Sequence, residues 1–183
     1  MRNPLRIWLL GAALSLAGCA SFSTSELSLA HEGPALDPIA FFAGRTVSAG
    51  MIENTITGSK RRVTTETRGH RDGNTLRLEQ NLTFSDGSRQ HRSWRIRKLD
   101  AHHYEATAND MVGAARGEAD GNAFHWSFTL ALSPGNPLAN VRMSQAMFLQ
   151  PGGRSLINHT TIRKLGIVVA KIDETFRSRV AGP

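Results

Sequence analysis

Along residues 76–84 apolar and polar side chains alternate: Leu76, Leu78, Leu82 and Phe84 fall on even positions with Gln80, and Arg77, Glu79, Asn81 and Thr83 on odd ones. A period of two marks a strand with one buried face. The next run carries Trp94 and Ile96, also even, beyond Ser85-Asp86-Gly87. A two-residue turn at Asp86-Gly87 would set even positions against odd ones and put Trp94 across from Glu79. A three-residue loop with Gly87 left-handed instead pairs Leu78 with Trp94 and Leu76 with Ile96. This register carries Arg92 onto the apolar face opposite Gln80, with Gln90 opposite Leu82. After a turn at Asp100-Ala101-His102, the residues Tyr104, Ala106, Ala108 and Asp110 continue the same face, and Asp110 is expected close to Arg92.

A second hairpin follows. Phe124, Trp126, Phe128, Leu130 and Leu132 share one face beyond Asp120-Gly121. A two-residue type I′ turn there sets Phe124 opposite Gly117, Trp126 opposite Ala115 and Phe128 opposite Gly113, so that large rings lie over residues that leave them room. Further strand-like runs at 47–54, 62–70, 141–149, 156–164 and 167–176, with 114–119, bring the number to ten, and no amphipathic helix stands out. Short antiparallel strands in sequence predict an all-β domain. The expected form is a single antiparallel up-and-down β-barrel of about ten strands, lipocalin- or calycin-like, enclosing a cavity. A two-sheet β-sandwich is the alternative.

The amino terminus follows another pattern. Arg2 and Arg6 precede an apolar stretch from Ile7 to Ala17, and Leu16-Ala17-Gly18-Cys19 ends in the only cysteine of the chain. The stretch is shorter than the roughly 20 residues of a membrane-spanning helix, so it reads as a cleaved export signal. The tetrapeptide resembles the bacterial lipobox, which implies cleavage before Cys19 and acylation of its thiol and new amino group. Two or more acyl chains hold a protein on a membrane where one binds reversibly. Residues 1–18 are thus expected to be removed, 19–36 to form an acylated, Ser/Thr/Ala-rich flexible tether, and 37–180 to form the barrel. Ala20 and Ser21, with no aspartate after the cysteine, fit transfer to the outer membrane, facing the periplasm. Loss of Arg2 and Arg6 takes the formal charge from +7 to +5. On an exported protein that charge points to anionic headgroups rather than nucleic acid.

Several segments in order resemble one family. They are Phe41-Phe42-Ala43-Gly44, Ser85-Asp86-Gly87, Arg92-Ser93-Trp94, Tyr104-Glu105-Ala106, Asp110-Met111-Val112-Gly113, Gly121-Asn122-Ala123, Leu156-Ile157-Asn158 and Lys164-Leu165-Gly166-Ile167. The chain is similar in these to the bacterial lipoprotein family catalogued as domain of unknown function 3833. That resemblance implies no established activity, although the family's association with fatty-acid modification genes favours a lipid ligand. Family members carry an acidic pair before Trp-Met where this chain reads Met143-Ser144-Gln145-Ala146-Met147. No role of that pair carries over.

Candidate chemistry is sparse. The sequence has no Gly-x-Ser-x-Gly elbow, no His-x-x-x-His pair and no phosphate loop. His102 and His103 lie in a turn, and His91 and His125 on outer faces, so neither a metal nor a cofactor is expected. The sharpest candidate is Arg92, with Gln80, Gln90, Trp94, Tyr104, Asp110 and Trp126 around it. An arginine inside an apolar barrel can hold the carboxylate of a fatty acid or the head of another amphiphile. It can equally be an internal ion pair with Asp110. The outer basic residues His91, Arg95 and Arg97, with Lys60-Arg61-Arg62, suit either a solvated face or headgroup docking. The expected function is therefore a non-catalytic, membrane-anchored barrel that binds a lipid-like or other hydrophobic ligand. The alternatives are an envelope assembly module with a filled core and an enzyme acting on a lipid inside the barrel.

Overall fold

The computed structural model describes residues 33–179. Ten antiparallel strands follow one another: β1 (Gly44–Asn54), β2 (Lys60–Asp72), β3 (Thr75–Phe84), β4 (Arg89–Lys98), β5 (His103–Ala108), β6 (Met111–Asp120), β7 (Ala123–Ala131), β8 (Asn140–Leu149), β9 (Ser155–Lys164) and β10 (Ile167–Arg179). Each pairs with its sequence neighbours, and β10 closes on β1. The expected up-and-down barrel is the fold, and the sandwich is excluded. Closure removes every sheet edge, and the strands and their core lie within 33–179, so this unit carries its own packing.

The β3–β4 hairpin has the expected register. Leu78 faces Trp94, Leu76 faces Ile96 and Gln80 faces Arg92, with Gly87 at φ +82°. The β6–β7 hairpin is set differently. Its turn residues are Gly121 and Asn122, with Asp120 paired to Ala123, Ala119 to Phe124 and Gly117 to Trp126. Only Gly121 has positive φ, as a type II′ turn requires, where a type I′ turn would need two such residues. Tertiary contact decides the matter: Asn122 is buried, its Nδ2 donates to the Leu149 carbonyl at 3.1 Å, and its own carbonyl accepts from Leu149 N at 2.9 Å. The shift of two residues keeps every side chain on its expected face. An irregularity between Val112 and Arg116 then restores the expected register, with Val112 opposite Thr129. Leu132 lies past the end of β7, where it is exposed yet still lines the cavity at its rim.

One short helix escaped the sequence reading. In α1 (Pro38–Phe42), Asp37 caps the first turn by accepting from Ile39 N at 2.9 Å, and Pro38 sits where its missing N–H costs nothing. Ile39, Phe41 and Phe42 are buried, and Phe42 meets Phe176 edge to face at 5.4 Å. The helix plugs one end of the barrel. Gly69 permits this, because a Cβ there would stand 1.9 Å from the Phe42 carbonyl oxygen. Leu36 is buried as well, and its N–H donates to the Gly121 carbonyl at 2.8 Å. Packed structure thus takes in Leu36, the last residue of the expected tether. The turns β1–β2, β3–β4, β5–β6, β7–β8 and β9–β10 lie at the opposite end, the mouth.

Candidate ligand-binding site

Inward positions near the middle of the strands carry polar side chains linked into a girdle. Trp94 Nε1 donates to Gln80 Oε1 at 2.7 Å, and Gln80 Nε2 donates to Thr67 Oγ1 at 3.3 Å. Trp94 stacks on Trp126 with ring centres 5.0 Å apart. Trp126 Nε1 donates to Gln145 Oε1, Gln145 Nε2 to Thr160 Oγ1 at 3.0 Å, and Asn158 Nδ2 to the same hydroxyl at 3.3 Å. Asn158 stands across from Glu174 on the neighbouring strand, and the Glu174 carboxyl accepts from Ser48 Oγ and, at 3.2 Å, from Thr65 Oγ1. The path starts at Thr67 and ends at Thr65, two positions apart on β2. Buried polar groups are stable when their partners are supplied in this way.

Below the girdle, towards α1, the interior is packed by Leu76, Tyr104, Phe124, Leu156 and Phe176. The barrel is also hollow, with a lining that runs from Asn54 and Leu132 near the mouth down to Pro38 and Phe42 of α1. A cavity of about 360 Å³ is lined by apolar side chains including Leu82, Leu130, Val141, Met143, Ile162 and Ile172. That volume falls at the lower end of small-molecule sites. At about 30 Å³ for a group the size of water, it accepts roughly a dozen methylene-sized groups.

Among the described residues, the charged side chains that line the cavity are Arg61, Arg92 and Glu174. Arg92 points inward as expected, and Asp110 matches it: Nε lies 2.8 and 2.9 Å from the two carboxylate oxygens and Nη2 lies 2.8 Å from one of them. Arg61 pairs with Asp86 at 2.6 Å and lies over the Phe84 ring. Among the described residues, Glu174 has no cation paired with it. Burial pushes its carboxyl above the ordinary carboxylate range, against the opposing pull of Ser48, Thr65 and Asn158.

The structure gathers Gln80, Gln90, Arg92, Trp94 and Trp126 on the cavity wall, with Gln90 exposed at the mouth. Asp110 sits in the β5–β6 turn beside Arg92 rather than at the end of a strand. Tyr104 does not join them. It pairs with Lys98 and Gly117 near the plug and packs against Phe124 at 5.3 Å, six residues along β4 from Arg92. The expected proximity failed because Tyr104 stands at the start of β5, at the plugged end, and β5 comes level with Trp94 only at Ala108. Cys19 lies outside the described residues, as does most of the expected tether. Among the outer basic residues, His91 meets Glu79, Arg97 meets Glu105 and Lys60 meets Glu53.

A closed ten-stranded barrel with one plugged end, one open end and an internal chamber defines a calycin-like cavity protein. The chain belongs to the family described as protein of unknown function (DUF3833), whose model matches residues 13–178. Among solved structures it is similar to the S-type phycobiliprotein lyase CPES from Guillardia theta, with TM-score 0.56 and 6% identity over 78% of this chain and 91% of that one. It is also similar to Rv2717c from M. tuberculosis, with TM-score 0.54 and 12% identity over 79% and 99% of the two chains. These likenesses show a shared fold. No curated protein matches by sequence.

Proposed function

We propose that this protein is a lipid-anchored carrier of the bacterial envelope, held through acylated Cys19 on the outer membrane and facing the periplasm, whose barrel takes up a small amphiphile without transforming it. The single observation that carries the reading is the chamber: about 360 Å³ of largely apolar-lined space inside the barrel. A filled assembly module has no use for such a void, since an empty apolar cavity costs stability. Similarity to a phycobiliprotein lyase supports a barrel suited to a small hydrophobic ligand.

The mouth supports a membrane-facing orientation. Ile56, Val112, Leu132, Leu138, Leu165 and Ile167 are large exposed apolar residues at or beside its turns, whereas Leu99 is their counterpart at the plugged end. Leu165 even takes φ +49°, a conformation that glycine or asparagine adopts at lower cost. Exposed apolar groups clustered at one end favour a lipid surface.

Calorimetric titration of the chain from Ala20 onward with dodecanol tests the reading. One saturable site per chain is expected. Absence of binding would refute it.

A further inference from the structure

We propose that Glu174 reads the polar end of the ligand, and that the barrel takes an amphiphile whose head donates hydrogen bonds, an aliphatic ammonium above all. The inference rests on the ligand-binding reading and narrows it. The cavity wall carries two guanidinium groups, Arg92 inside and Arg61 at the exposed mouth, each already matched by a carboxylate, Asp110 and Asp86 respectively. A ligand carboxylate would have to displace or share Asp110, whose oxygens hold both Nε and Nη2 of Arg92. Among the described residues that line the cavity, the unmatched ionisable group is the acid on β10.

Its surroundings fit that role. Glu174 sits between Gly50 and Asn158 in the sheet, so the β1 residue directly paired with it has no side chain. The neighbours that touch it are neutral donors, Ser48, Thr65 and Asn158, drawn from β1, β2 and β9. From β8 and β9 the inward polar groups are Gln145 and Thr160, also neutral. The side chain retains accessible surface although it lies deep in the barrel, because that surface opens into the cavity. An ammonium placed there would exchange its hydration for a carboxylate and nearby hydroxyl oxygens, and its chain would fill the apolar space towards Leu82, Leu130, Val141 and Ile162.

The proton balance follows. In the empty site burial opposes ionisation of Glu174 and so raises the fraction of the carboxyl that is protonated. An incoming ammonium keeps its own protons and favours the carboxylate, so the carboxyl proton leaves to buffer and the bound pair is neutral. Affinity for the amine therefore rises with pH through the titration of Glu174, until the amine itself deprotonates near the lysine range of about 10.

Calorimetry of the chain from Ala20 onward decides the matter with dodecylamine, dodecanol and dodecanoate, each below its micelle-forming concentration, at pH 5 in two buffers of different ionisation enthalpy. Dodecylamine should bind about tenfold more tightly than dodecanol, since hydrogen bonds to charged groups are the strong ones. Its heat should depend on the buffer, reporting release of up to one proton, and that of dodecanol should not. Glu174→Gln, close to the shape of a protonated glutamate, should abolish the buffer dependence and reduce amine affinity to that of the alcohol. Should the variant fail to fold, the buffer dependence of the unaltered chain still decides. Dodecanol binding with no preference for the amine, or a preference for dodecanoate, would overturn the assignment to Glu174 alone. Binding of none of the three would overturn the carrier reading and this inference with it.

Discussion

Single residues set the electrostatics of the interior, and Glu174 is the most consequential of them. Its folded-state value lies above that of an unfolded chain, near 4.5. Between those two values the folded protein binds more protons than the unfolded one, so its contribution to stability is complete below about pH 4.5 and declines as pH rises through the folded value. Thermal unfolding of wild type against Glu174→Gln should show the variant gaining relative to wild type as pH rises above that point, and parallel curves would contradict the burial of the acid. Arg92 and Asp110 answer to a different test. Asp110→Asn leaves the guanidinium without its match and should cost about 1–3 kcal/mol in urea unfolding, the pair being only partly buried. It should also strengthen dodecanoate binding by freeing Arg92, whereas unchanged binding would mean that the cation is out of a ligand's reach. The inward turn of Arg92 was legible because Leu78, Trp94 and Ile96 fix the register around it. Glu174 was equally available, standing two residues from both Ile172 and Phe176, but its strand also carries Lys171, Asp173 and Thr175, and one acid among several polar residues gave no signal by itself.

At the level of elements, the strands are legible wherever one face is apolar and the other polar. That contrast set the β3–β4 register, and turn residues between the runs completed the ten strands. It vanishes in β1 and β2, where Thr46, Ser48, Thr65 and Thr67 point inward among outward residues that are also polar, so the girdle was invisible along the chain. The β6–β7 turn was misread because local preference favours Asp120-Gly121, while the buried bonds of Asn122 to Leu149 select the next position. The five-residue plug helix is too short to show a period, and it depends on close approach at Gly69. Gly69→Ala should therefore push the last turn of α1 away from β2 and cost about 1–3 kcal/mol by thermal or urea unfolding, the usual cost of overpacking. A neutral result would mean that the plug is loosely seated.

For the whole molecule, a plugged base and an apolar mouth imply a direction: ligand enters and leaves at the end ringed by Ile56, Leu138 and Leu165. Because Cys19 is the only cysteine, the chain from Ala20 onward accepts single labels. On vesicles containing anionic lipid, a fluorophore on Leu138→Cys should be quenched by nitroxide-bearing lipid and shielded from aqueous iodide. The same probe on Leu99→Cys should respond in the opposite way, and equal responses would argue against a mouth-down orientation. The central claim is that the chamber holds a ligand. Trp94 and Trp126, stacked beside it, are the only tryptophans after residue 18, so intrinsic emission reports on that space directly. Titration with dodecanol should change the emission saturably at one molecule per chain, and Ile162→Phe, which fills part of the chamber, should weaken the response. Emission that stays constant through the titration, or responds identically in the filled variant, would contradict a ligand in the barrel.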